Sequence, residues 1–221
     1  ATSVMKALCD NKQLKVSAIN ATTGNWTFNK KNLQSTGVGS QLRPLNYENK
    51  NIIQPVVFGT TSSFGINSIN GIDSHVIKVP AFNPQNGLFV FTNFTPGIHE
   101  DLHYNYSLII DLYIPKTNEG KFISILQTNP DNTNDADFFI SSKGLGVNNV
   151  YHNELQSETW YRLGIVVSNT SIKKYVNGEY VGENSISDGR WSVNNVFSGG
   201  QDHGFHLFAD DNNETGELFV N

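Results

Sequence analysis

Cysteine is almost missing from this sequence: among 221 residues only Cys9 carries a thiol. An intrachain disulfide and a thiolate metal cluster are therefore excluded, and Cys9 is left as an inert thiol or as half of an intermolecular bridge. Charge is scarce as well, with Asp, Glu, Lys and Arg at 16% of the chain. The net charge is -5 and the 15 basic residues are scattered, so no basic footprint marks a nucleic acid or an anionic membrane as partner. No apolar run approaches the roughly 18 residues of a membrane-spanning helix. Helical periodicity is absent too: after residue 30 no stretch carries it over ten residues or more.

What is present is asparagine, serine, threonine and glycine, a polarity common in extracellular β-proteins. The chain opens Ala1-Thr2-Ser3 without methionine, which is compatible with a mature, secreted form. Sequons begin at Asn20, Asn25, Asn93, Asn105, Asn169 and Asn213, but in a chain so rich in asparagine most of them are expected by chance.

Residues 1–25 read as an N-terminal arm, at best a short helical pattern broken by "NATTGN". From Trp26 onward the pattern is β: "SHVIKVP", "GLFVFTN", "YSLIIDLYIP", "KFISILQT", "DFFIS", "GVNNVYH", "WYRLGIVVS", "HGFHLFAD" and "GELFVN" are short apolar or alternating runs between Gly, Asn, Asp and Pro. "SIKKYVNGEYVGE" is the clearest unit, a hairpin about Asn177-Gly178, because a type I′ turn needs two residues tolerant of positive φ. No repeat or low-complexity linker divides residues 26–221. The expectation is one all-β domain, a two-sheet antiparallel β-sandwich.

Three constellations invite chemistry. His99-Glu100-Asp101-Leu102-His103 has the H-E-x-x-H spacing of zinc peptidases, which needs a helix to place both imidazoles on one face. Here it follows Pro96-Gly97 and runs into a strong strand. The helix, the following glycine (Tyr106 stands there) and the third ligand are all missing, so a polar loop is expected. Second, "PDNTNDAD" supplies Asp131, Asn132, Asn134, Asp135 and Asp137, hard oxygen donors of the kind calcium takes. Asp131, Asn134, Asp135 and Asp137 are the candidate calcium ligands. Third, "FADDNNETGE" carries Asp210, Asp211, Glu214 and Glu217, carboxylates that would complete such a site if the fold joins the two loops. Tyr104, Tyr151, Asp210 and Asp211 are the candidate ligand-binding residues, the tyrosines as rings for stacking on sugars. The paired carboxylates of glycoside hydrolases are not matched, since Asp111 is a lone carboxylate on an apolar strand. Nucleophile-elbow and phosphate-loop motifs are not found.

The block "ETWYRLGIVVSNTSIKKYVNGEYVGE" resembles the laminin G-like, concanavalin A-like jelly-roll superfamily, where a Trp opens a strand and a Y-V-[ND]-G hairpin follows. "WTFNKKNL…GVGSQLRPL", "SLIIDLYIP", "FISILQT", "DADFFIS", "DGRWSV" and "HLFADDNNETGELFVN" fit further strand blocks of a bacterial-type subgroup in order. The resemblance covers residue 26 to the end. It implies a jelly-roll sandwich, an extracellular or cell-surface location, and binding of carbohydrate or a surface protein, often with calcium at a sandwich edge. Ala136 stands where that site's glycine is expected. Enzymes share the fold, but their catalytic motifs are absent here. "GELFVN" is shorter than the subgroup's last block: either the chain is a processed form, or its last strand is short, and an open edge left by a short strand would pair with a second copy, the arm being the donated piece. The readings that follow are a non-catalytic recognition or adhesion module, a structural subunit of a filament or surface layer, and, third, a polysaccharide-degrading enzyme.

Overall fold

The structure is a computed structural model that describes residues 24–37, 39–46, 51, 56–84, 86–91, 105–129, 132–185, 190, 191, 193 and 204–221. Residues 1–23 and the His99–His103 motif lie outside the described residues, as do Tyr104 and Asp131.

The described residues form two seven-stranded sheets in which every pairing is antiparallel. In chain order the strands are β1 (Arg43–Asn46), β2 (Val57–Thr60), β3 (His75–Val79), β4 (Asn86–Phe91), β5 (Tyr106–Tyr113), β6 (Ile123–Gln127), β7 (Phe138–Ser141), β8 (Gly144–Val147), β9 (Val150–His152), β10 (Trp160–Val167), β11 (Ser171–Val176), β12 (Glu179–Ser185), β13 (Gly204–Leu207) and β14 (Leu218–Val220). One sheet runs β1-β4-β13-β6-β7-β8-β9 and the other β12-β11-β10-β5-β14-β3-β2. This is the expected two-sheet antiparallel sandwich.

Alternation explains how the strands build it. On β5, Leu108, Ile110 and Leu112 face the core between the sheets, while Tyr113 faces outward. The core continues through Ile77, Val79, Leu88, Val90, Ile125, Leu126, Leu163, Ile165 and Ile172. A second apolar cluster covers part of the outer face of the β5 sheet. Val76, Tyr113 and Phe219 pack there against Phe64, Ile66, Ile69 and Trp160 from the preceding loop and β10. Trp160 is thus not a core tryptophan; its indole N–H donates to Asn67 O at 2.7 Å. Asp73 ties that loop down by accepting from the Ser62 amide, the Ser62 hydroxyl and the Thr61 hydroxyl, which pull its pKa down to about 2.

Three boundaries differ from the sequence expectation. "GVNNVYH" is two strands rather than one: Asn148 (φ 51°) and Asn149 (φ 64°) turn β8 into β9. Asn-Asn serves as a turn because both residues tolerate the left-handed region. The opening block yields strand only from Arg43; Trp26, Phe28 and Leu33 pack on the core from irregular chain. In "DGRWSV", Trp191 lies in a turn at φ 72°, fully buried, its indole donating to Asp137 O. The Asn177-Gly178 turn is present with φ 50° and 89°. Asn177 adds a bond not anticipated: its side-chain oxygen accepts from the Arg162 amide at 2.9 Å.

Candidate functional site: an acidic edge where two loops meet

The loop between β6 and β7 and the loop between β13 and β14 lie side by side. Ser124 begins the join: its amide donates to Glu214 O and its hydroxyl to Ala209 O. Asn132 completes it. Its side-chain amide donates to Asp210 O at 3.0 Å and to Pro84 O, and its oxygen accepts from Gln127 Nε2. Asn132 holds φ 48°, a conformation asparagine tolerates better than most residues.

Asp210, fully buried, is the hub. One carboxylate oxygen accepts from the Ala136 amide at 3.1 Å; the other accepts from the amides of Asn212 and Glu214 at 3.0 and 3.1 Å. Ala136 therefore contributes through its backbone. It is not among the residues with positive φ, so the glycine expected there is not needed for conformation.

Around that hub Asp135, Asp210 and Asp211 bring one carboxylate oxygen each within 4.8 Å of one another. Asp135 is exposed and Asp211 half-buried. Asp211 Oδ1 is buried without a hydrogen-bond partner among the described residues. Burial and then the charges of Asp210 and Asp135 push the Asp211 carboxyl above its ordinary value. Glu214 is pushed up in the same way, by burial and then by Asp210, Asp135 and Asp211. None of the ion pairs among the described residues involves these four groups. Such a set of unneutralised hard oxygens fits a calcium ion, which takes six to eight oxygens at roughly 2.3–2.6 Å.

Aromatic rings flank the acids. Tyr151 on β9 lies close enough to Glu214 and Asp135 that, after burial, their charges raise its phenol pKa. Phe122, 40% exposed, meets Tyr151 edge-to-face at 5.9 Å between ring centroids.

Of the sequence candidates, Asp135, Asp210, Asp211 and Tyr151 come together. Asp137 goes elsewhere: it is buried, its carboxylate accepts from the Thr128 amide and hydroxyl, and Arg190 Nε is 3.8 Å away. It holds the β6–β7 loop to the core. Asn134 is exposed, and its main-chain oxygen accepts from Gln127 Nε2 at 2.7 Å. Phe122 is not among the sequence candidates. Glu214 was visible as a carboxylate of the second acidic loop, whereas nothing in sequence separated Phe122 from core phenylalanines. Glu217 pairs with Lys78 at 2.8 Å, and Asp111 is held by the Arg162 guanidinium.

No family model matches the chain, and no curated protein matches it. Several solved structures are similar to it. Domain 4 of AbnA, a GH43 extracellular arabinanase from Geobacillus stearothermophilus, in complex with arabinotriose, is 16% identical over 90% of either chain, with a TM-score of 0.45. The binding domain of botulinum neurotoxin serotype D is 16% identical over 80% of this chain and 45% of that one, with a TM-score of 0.43. Alginate lyase AlyC3 is 12% identical over 94% and 96%, with a TM-score of 0.45. These likenesses do not assign the chain to a family.

Proposed function

We propose that this chain is a non-catalytic, extracellular recognition module that binds carbohydrate at the acidic edge, with calcium held by Asp135, Asp210 and Asp211. The observation that carries the reading is the convergence of two separate acidic loops on one point, with Glu214 close by and the rings of Tyr151 and Phe122 beside it. Each element suits the task. Asp210 is fixed by three backbone amides, so its position is set by the fold. Asp211 has an oxygen with no partner among the described residues. A tyrosine and a phenylalanine offer apolar faces of the kind on which sugar rings stack. Bound calcium supplies coordination positions for sugar hydroxyls. Asp111, the carboxylate on the apolar strand, is ion-paired with Arg162.

Calcium is tested by thermal melting at neutral pH with millimolar calcium or with chelator. The expected result is a higher melting temperature with calcium, because a ligand that binds only the folded state stabilises it. An unchanged melting temperature at millimolar calcium would remove the metal from this reading.

A second reading, assembly with further copies by strand addition, draws on the pairing of β5. That strand runs from Tyr106 to Tyr113, whereas β14 pairs only with its Leu112 and Tyr113. Ser107 and Ile109 have no strand partner on that side among the described residues. Backbone groups of this kind invite an added strand, and residues 1–25 are the donor proposed here. Light scattering at micromolar concentration, with and without residues 1–25, tests it: a monomer in both cases ends this reading.

A further inference from the structure

The edge of the sandwich where β8–β9 meets β11–β12 is held by a lysine that has no carboxylate partner among the described residues. Lys174 on β11 is completely buried. Its Nζ lies 3.0 Å from Leu145 O, 2.5 Å from Asn184 Oδ1 and 2.6 Å from His152 Nδ1. An ammonium has three N–H bonds, and three acceptors surround it here. Leu145 and His152 belong to one sheet, Lys174 and Asn184 to the other. Asn184 reinforces the join by donating to Val147 O at 3.1 Å and Val150 O at 3.0 Å. The backbone is shaped for it: Gly182, opposite Lys174, has φ 152°, and a Cβ there would stand 2.5 Å from His152 Cγ.

Among the described residues the charges around the pair are few. β8 and β9 present main-chain carbonyls, and β10 places Ile165 opposite Lys174. β12 presents Gly182 and Asn184. Its Glu183 pairs with Lys173, one residue from the Lys174–Gly182 pair and thus on the opposite face of the sheet. Glu179 stands at the far end of β12, opposite Val176, and Glu154 is exposed in the chain after β9. Besides burial, the charge that acts on His152 is that of Lys174.

We propose that His152, Lys174 and Asn184 form an acid-sensitive clasp between the two sheets: protonation of His152 replaces an acceptor by a second cation 2.6 Å from the ammonium and frees the β8–β9 hairpin from β11–β12. An imidazole accepting at Nδ1 is neutral, with its proton on Nε2. Burial lowers the Lys174 pKa to about 8, so the amine is charged at neutral pH. Burial and then Lys174 hold His152 below its ordinary value. An opened hairpin therefore takes up the proton first. Opening becomes easier as pH falls below about 6.5, the ordinary histidine value, by tenfold for each unit the clasp takes off that pKa.

Hydrogen exchange on the full chain between pH 7.5 and 5.0, corrected for the intrinsic rate, tests this. The expected result is an opening constant for residues 144–152 that rises as pH falls, while that of β3 does not. In His152→Asn, whose side-chain oxygen accepts without titrating, the rise is absent. In Lys174→Met, which removes the cation and leaves the burial, the rise is smaller than in the native chain. Equal protection of 144–152 at both pH values in the native chain would overturn the proposal, as would a native-sized rise in His152→Asn. These two measurements decide the matter even where Lys174→Met does not fold.

Discussion

Asp211 and Glu214 show most sharply what the acidic edge asks of single residues. Both hold their protons more tightly than an unfolded chain would, because burial and neighbouring carboxylates disfavour the charged form. Their contribution thus favours the fold at pH below the ordinary carboxylate range and is lost as pH rises through the raised values. In chelator, melting temperature should carry this component of loss from about pH 4 upward, and calcium should cancel it. Asp211→Asn should raise the melting temperature in chelator at neutral pH while shrinking the increment that calcium gives. Melts of both forms, with and without calcium, check the opposite signs. Asp137 makes the complementary case. Asp137→Asn removes an ionised acceptor from the Thr128 amide and hydroxyl and should cost about 1–3 kcal/mol in denaturant unfolding, leaving the calcium increment in place. In the sequence Asp135 and Asp137 look alike, two oxygen donors two positions apart. Only the approach of the second loop on one side, and of Thr128 and Arg190 on the other, gives them different work.

At the scale of elements, local chemistry was legible and partnership was not. Asn177-Gly178 announced its hairpin because few residue pairs suit two positive φ values in succession. Gly178→Ala should cost about 1 kcal/mol or more, since alanine is strained at φ 89°, and chemical denaturation reads it. The β8–β9 hairpin escaped notice because Asn148-Asn149 lacks the glycine that usually flags such a turn. β2 does not stand out in the sequence: its four residues, Val57 to Thr60, include Gly59 and bury none of their side chains fully, so no apolar run marks them. β14 was readable as a strand, but its seat between β5 and β3, with Asn221 donating to Asp111 O and His75 O, depends on residues more than a hundred positions away.

For the whole molecule, the sandwich follows from strand-length runs, frequent turn residues and the absence of helical period. The order of strands within each sheet does not, because antiparallel partners such as β4 and β13 lie far apart in the chain and are chosen by the shared core. The same non-local folding makes the candidate site. Residues 132–137 and 208–217 are two unremarkable polar loops until β6 and the chain after β13 run alongside each other and place Asp135 against Asp210 and Asp211. The clasp at the β9–β12 edge shows that two sheets of this sandwich are also joined by polar contacts, which hydrophobic pattern alone does not display. The central claim, carbohydrate recognition through a calcium-bearing acidic edge, is tested most directly by a glycan array at neutral pH, read in calcium and again in chelator. The account predicts binding to a limited set of glycans that disappears in chelator and in Asp211→Asn. Binding that is indifferent to chelator, or release of reducing or unsaturated sugar from the glycans bound, would contradict it.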